Sequence, residues 1–195
     1  VINLLYLLIH PKNKAMKTIF LFLTDGFEEI EALSTVDILR RAGLDVRTVS
    51  LTGQKTVMGG HDIPVTADML FEEAPLETAE ILVIPGGTVA FNEHEGLKEE
   101  VKAFYDKGGK VAAISAAPMV LGGLGILKGR KATCYLGYEQ HLEGAELHTN
   151  EATVTDGNTV TGRGPGFAID FDLKLVEVLA GKAKRDEVEG QLLVK

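Results

Sequence analysis

Residues 110–118 read KVAAISAAP. Lys110 to Ile114 has the character of a strand buried on both faces of a parallel sheet. Ser115 follows at once, Ala116 and Ala117 leave the turn uncrowded, and Pro118 suits the first position of a helix. Two more runs share this character. Thr18 to Thr24 (TIFLFLT) is broken by Asp25-Gly26, and Glu80 to Ile84 (EILVI) is stopped by Pro85-Gly86-Gly87. Buried strands that pass directly into helices predict an α/β fold, a three-layer sandwich around a mostly parallel sheet.

The intervening segments fit that plan. Ile30, Leu33, Val36 and Leu39 recur at helical spacing and predict a helix ended by Gly43. Asp45 to Leu51 reads as a strand, and Thr52 to Asp68, with turn signals at Gly53 and Gly59-Gly60, as a hairpin excursion. Leu97 to Asp106 is expected to be helical, and residues 131–162 to hold short strands and turns. Ile169, Leu173, Val176 and Leu179 predict the apolar stripe of a long helix ending at Gly181. A short last helix is expected over 184–191. Val1 to Ala15 stands apart: an apolar block without the flanks of a signal peptide, ahead of Met16. It reads as an N-terminal extension or residues foreign to the natural start, the alternative being a helix that packs on a neighbour. The domain proper would then be residues 16–195.

Composition narrows the function classes. The chain of 195 residues has 45% hydrophobic and 25% charged residues and a formal net charge of −8. An acidic protein without a basic run is unsuited to nucleic acid or an anionic membrane surface. No apolar run approaches the roughly 20 residues of a membrane-spanning helix. The one cysteine, Cys134, cannot build an internal disulfide framework or a cysteine-rich metal site, and a cytoplasmic location is the expectation.

In sheets of this kind, sites lie beyond the carboxyl ends of the strands. That places attention on residues 25–31, 85–88 and 115–118. The turn at Ser115 has the layout of a nucleophile elbow, whose next backbone N–H can face a developing oxyanion. The hydrolase signature has glycine two residues to either side, where this chain has Ala113 and Ala117. Local sequence alone favours the plainer reading of Ser115 as a helix cap. Residues 25–31 read DGFEEIE. Glu28 and Glu29 complement a helix dipole, and a carboxylate such as Glu31, turned into a cleft, could exchange protons with a substrate. The N–H groups of Gly86 and Gly87 could bind an oxyanion, against the plainer reading of a turn.

Six segments in order carry a resemblance: DGFEEIE (25–31), DILRRAGLDV (37–46), ILVIPGG (81–87), VAAISAAP (111–118), KATCY (131–135) and GRGPGFAIDF (162–171). Together they resemble the ThiJ/PfpI superfamily, in its branch of the Parkinsonism-associated deglycase. The resemblance implies a flavodoxin-like sandwich, a homodimer, and a cysteine nucleophile at the position of Ser115. It matches Glu31 to the acid that hydrogen-bonds the nucleophile, and Gly87 and Ala116 to the oxyanion-facing N–H groups. Arg41 and His61 fall near the pocket or dimer seam, Tyr135 where some members carry a pocket histidine, and Arg163 on the turn into the last long helix. Implied activities are glyoxalase-type conversion of methylglyoxal to lactate, repair of glycated protein, redox and stress responses, chaperone-like holding and, in one branch, peptidase action.

Two departures shape the expectation. The residue after the elbow is Ala116 where the peptidase branch has histidine, and no histidine adjoins Ser115. Ser115 itself lacks the acidity of a thiol, needs an adjacent base, and cannot undergo cysteine oxidation. Either the protein has left cysteine chemistry or the cysteine was replaced to give an inert form. Cys134 is expected to pack as a small apolar side chain. The readings are thus a small-carbonyl enzyme scaffold with little or no turnover, or a non-catalytic binding or chaperone-like protein of the same fold. A cofactor-binding flavodoxin ranks behind both, because GGLGILKG (122–129) matches no dinucleotide fingerprint and no P-loop occurs. Neither cofactor nor metal is expected.

Overall fold

A computed structural model describes residues 17–194. The extension expected over residues 1–15 lies outside them. The strands are β1 (Ile19–Leu23), β2 (Val46–Ser50), β3 (Thr56–Met58), β4 (Pro64–Thr66), β5 (Met69–Leu70), β6 (Ile81–Ile84), β7 (Lys110–Ile114), β8 (Lys131–Ala132), β9 (Glu146–Leu147), β10 (Thr153–Asp156) and β11 (Thr159–Gly162). Seven form one sheet in the order β10-β11-β7-β6-β1-β2-β5. Every neighbouring pair in it is parallel except the β10–β11 hairpin. β1 and β6 are buried at every residue, as their unbroken apolar runs require.

The helices are α1 (Glu29–Arg41), α2 (Ala90–Glu93), α3 (Glu95–Asp106), α4 (Pro118–Gly123), α5 (Ala168–Ala180) and α6 (Lys182–Leu192). One layer is α1 against α5 and α5 against α6; the other is α2 with α3 and α4. The flavodoxin-like sandwich expected from the sequence is therefore the observed architecture. Thr52 to Asp68 holds the antiparallel pair β3–β4, with Val57 opposite Val65. Among the described residues no helix is long and apolar enough to cross a membrane.

Topology locates the site. The chain builds β1, β2 and β5 towards one edge, then returns to place β6 beside β1 and builds towards the other. Loops leaving β1 and β6 diverge there and open a crevice at the carboxyl ends of the strands.

The two helical stripes need correction. Ile30 is 58% exposed and Leu33 is also exposed, whereas Glu29, Glu31, Ala32, Thr35, Ile38 and Leu39 are buried. Helix α1 is rolled so that polar residues face inward, because Glu31 and Thr35 find partners there. On α5, Ile169 is exposed and the buried face is Ala168, Phe171, Asp172, Leu173, Leu175 and Val176. This face includes an aspartate that the apolar periodicity passes over. The rolled face has a direct test: Ile38→Ala should lower stability by about 3 kcal/mol in urea unfolding, the usual loss for a buried aliphatic side chain.

Candidate active site

Ser115 stands one residue beyond β7 with φ +65°. That left-handed conformation is strained for a residue with a side chain, by about 1–3 kcal/mol. Pairing holds it: the Ser115 N–H donates to the Gly162 carbonyl at 2.9 Å, and its own carbonyl accepts from the Tyr135 N–H at 2.8 Å. Helix α4 starts at Pro118, is capped by Ala117 and has no side-chain cap. The helix-cap reading of Ser115 is thereby replaced by the elbow, because the αL turn carries the side chain off the sheet instead of back over the helix end.

Glu31 lies in the first turn of α1, entered through Glu28, whose carboxylate accepts from the Glu31 N–H at 2.9 Å. Its side chain is wholly buried. Glu31 Oε2 accepts from the Gly86 N–H at 2.7 Å, while Oε1 has no partner among the described residues. Burial pushes the carboxyl up to about 7, opposed by the Gly86 N–H and the nearby Ser115 hydroxyl. It therefore stands between acid and base near neutral pH, the range suited to proton transfer.

The two glycines after β6 have different tasks. A Cβ on Gly86 would lie 2.6 Å from Ser115 Cβ and 2.7 Å from Glu31 Oε2. Only glycine lets both side chains close on this point. Its N–H is spent on Glu31, so it orients the acid and does not face an oxyanion as the sequence suggested. Gly87 has φ +100°, and a Cβ there would lie 2.3 Å from the Glu28 nitrogen. The N–H groups of Gly87 and Ala116 make no hydrogen bond among the described residues and remain available as donors.

The other expected site residues spread outward. Tyr135 and Arg163 share a groove with Leu136, Gly164, Pro165 and Phe167. The Arg163 guanidinium lies 5.4 Å from the centre of the Phe167 ring. His61, exposed on the β3–β4 turn, meets buried Glu29: its N–H donates to Oε1 and its Nδ1 lies on Oε2, each at 2.7 Å. The Glu29 hydrogen bond raises the His61 pKa. Burial works against the Glu29 charge, but hydrogen bonds centred on His61 hold its pKa below the ordinary value. Donor atoms of Glu28, Glu29 and His61 come within 4.8 Å of one another, yet they are already engaged in the α1 cap and this ion pair. Arg41 pairs with Asp37 at 3.0 Å on the surface of α1, apart from the site. His94 caps α3, and His148 lies between Glu146 and Glu151. Cys134 is buried, and burial pushes its thiol up to about 11, consistent with a packing role.

Sequence reasoning missed the polar layer behind Glu31. Asp172 is fully buried, accepts from the Ser34 hydroxyl, and lies within hydrogen-bond distance of the Thr35 hydroxyl on α1. Its one signal was an aspartate beside Phe171 and Leu173 within a helix whose remaining inward positions are apolar.

The raised Glu31 pKa has a definite linkage. Between pH 4.5 and about 7 the folded chain keeps a proton that the unfolded chain has released. Stability contributed by this group therefore falls as pH rises through that window. Glu31→Gln mimics the protonated form. Relative to the parent it should gain stability from pH 4.5 to 7, approaching about 3 kcal/mol, and then level off. Urea unfolding at several pH values checks this, and a pH-independent difference would contradict it.

The chain is similar to known proteins in sequence and in fold. The DJ-1/PfpI family profile matches residues 17–178. Protein dj-1beta of Drosophila melanogaster is 35% identical over 182 residues, covering 91% of this chain and 97% of that protein. Its crystal structure superposes with a TM-score of 0.87 at 34% identity, over 92% of this chain and 98% of the other. Protein DJ-1 homolog A of Arabidopsis thaliana is 36% identical over 92% of this chain, which spans 47% of that protein. Glutathione-independent glyoxalase DJR-1.2 of Caenorhabditis elegans is 32% identical, covering 83% of this chain and 87% of that protein. The chain belongs to the DJ-1/PfpI family.

Proposed function

We propose that the crevice beyond β1, β6 and β7 is a pocket for small reactive carbonyl compounds, of glyoxalase or deglycase type, with little turnover while serine occupies position 115. One observation carries this reading: the Ser115 and Glu31 side chains close on Gly86 beside two N–H donors, on Gly87 and Ala116. The glyoxalase among the relatives supports the substrate class.

The chemistry runs on these groups alone. With a 2-oxoaldehyde such as methylglyoxal, Ser115 Oγ adds to the aldehyde carbon and passes its proton to the ionised Glu31 carboxylate. The former carbonyl oxygen becomes an oxyanion facing the Gly87 and Ala116 N–H groups. Glu31 returns that proton to the oxyanion, which leaves Glu31 ionised and gives a hemiacetal. Glu31 then takes the proton from its carbon, and the electron pair moves through an enediol. Returning the proton to the adjacent carbon leaves a lactate ester of Ser115. The aldehyde carbon is oxidised as its neighbour is reduced, so no outside oxidant is needed. Water cleaves the ester, releasing lactate and restoring the hydroxyl. The first step limits the serine form. A hydroxyl is far less acidic than a thiol, and a carboxyl of pKa about 7 draws little of its proton away.

Tyr135 and Arg163, in the adjoining groove, would contact the substrate's remainder, and His61 with Glu29 would close its hairpin side. Exposed Ile30, Leu33, Met58 and Ile63 lie on α1 and the β3–β4 excursion, and the Phe27–Gly59 bridge joins the loop before α1 to that excursion. They favour a homodimer across this face. The acidic charge and single buried cysteine suit a cytoplasmic location.

Lactate formation from methylglyoxal should be minimal for this chain and rise at least about 100-fold in Ser115→Cys. Glu31→Gln in that background should remove about 100-fold or more, the scale of a lost general acid/base. Silence of both serine and cysteine forms would favour a non-catalytic binding protein, and a serine rate matching cysteine would refute the low-turnover reading. Sedimentation should give a dimer that Ile30→Asp converts to monomer; a monomeric parent would refute the dimer.

A further inference from the structure

Behind the site lies a second buried carboxyl, on Asp172 of α5. Ser34 Oγ donates to its Oδ2 at 2.6 Å. Thr35 Oγ1 lies 2.5 Å from Asp172 Oδ1 and 2.7 Å from the Glu31 carbonyl oxygen. A hydroxyl has one hydrogen, so Thr35 cannot fill both contacts as donor. If Thr35 gives its hydrogen to the Glu31 carbonyl, the hydrogen in the 2.5 Å contact comes from Asp172. In that arrangement Asp172 Oδ1–H donates to Thr35, and Thr35 donates to the Glu31 carbonyl.

The surroundings favour the neutral acid. Among the described residues Asp172 forms no ion pair. Of the charged groups on helix α1, Glu31 and Asp37 act on it, and Asp37 is paired with Arg41 on the surface. Strand β11 carries no charged side chain. On β10, Asp156 is engaged with Arg130; on α5, Lys174 holds Glu177; on α6, Lys182 holds Asp186 and Arg185 holds Glu189. Burial pushes Asp172 up to about 7, with the Ser34 hydrogen bond pulling down and the Glu31 and Asp37 charges pushing up.

We propose that Asp172 is a positioning residue for Glu31: as a neutral acid it closes a hydrogen-bond chain through Thr35 to the Glu31 carbonyl, and its ionisation competes with that of the Glu31 carboxyl. The two groups hold one negative charge between them before they hold two. When Asp172 ionises, the Thr35 hydrogen turns to Oδ1, and the first turn of α1 loses its side-chain donor at the Glu31 carbonyl. Asp172 thus acts on the site through helix α1 without touching a substrate. The inference rests on the reading of Glu31 as the proton carrier.

Carboxyl carbon NMR of the full chain, titrated from pH 4 to 9, reads both groups directly. Asp172→Asn keeps the shape and a donor to Thr35 but cannot ionise. It should lower the Glu31 midpoint by at least half a pH unit, about threefold in proton affinity, and turn a broadened titration into a single step. Reciprocity requires that Glu31→Gln lower the Asp172 midpoint by the same amount, so the coupling is testable even if Asp172→Asn does not fold. In the Ser115→Cys background, Asp172→Asn should move the acid limb of the kcat–pH profile in the same direction. A Glu31 midpoint unmoved within about 0.2 unit, or an Asp172 that titrates near the ordinary carboxylate value of about 4, would overturn the proposal. If Glu31→Gln leaves Ser115→Cys turnover intact, the functional reading fails while the coupling can stand. If turnover needs Glu31 but no coupling is seen, the Asp172 inference alone fails.

Discussion

The hydrogen bond from the Gly86 N–H to Glu31 Oε2, 2.7 Å long and buried, is the constraint around which this molecule is arranged. It joins the segment after β1 to the segment after β6, across the point where the strand order reverses. To make it, α1 must turn a carboxylate inward at its first turn. That rolls Ala32, Thr35, Ile38 and Leu39 into the interior and leaves Ile30 and Leu33 on the surface. Residue 86 must also be glycine, because the Glu31 and Ser115 side chains occupy the space a Cβ would need. A helix orientation, a glycine and an exposed apolar face thus follow from one buried acid.

Electrostatics at the site follow from the same burial. An ionised carboxylate out of water is disfavoured unless hydrogen bonds replace its hydration. Glu31 has one firm donor and a bare second oxygen, so its proton affinity rises to the neutral range. Glu29, two residues earlier and also buried, is bound through both oxygens by His61 and stays charged. Neighbouring acids on one helical turn therefore shift in opposite directions, because Glu31 lies deeper with a single donor while Glu29 meets His61 near the surface. Such divergence is what separates a proton-carrying group from a structural one.

Much of the fold was legible because long apolar runs admit few placements. TIFLFLT, EILVI and KVAAI could only be strands covered on both faces, and strand-to-helix alternation leads to a parallel sheet. The same reasoning failed on α1 and α5, where apolar spacing pointed to Ile30, Leu33 and Ile169 as inward residues. Periodicity assumes that water-facing and core-facing positions sort by polarity. That assumption breaks where buried polar groups have partners, and the partners of Glu31, Thr35 and Asp172 lie 55 and 137 residues away in the chain. Gly86 was recognised as part of the site but given the wrong task for the same reason: which acceptor its N–H would meet is a fact of packing.

The sequence by itself determined the order of elements, the three loops that end at the crevice, the serine on the elbow and the family resemblance, because these depend on local spacing and residue type. Tertiary structure alone decided that Ser115 adopts φ +65° instead of capping a helix, since the bonds holding it come from Gly162 and Tyr135. It alone decided which of three acids, Glu28, Glu29 or Glu31, is left with a buried oxygen that has no partner among the described residues, and that Asp172 stands behind it. Proton affinity is set by burial and by donors from distant strands and helices, and neither is encoded in the residues next to the acid.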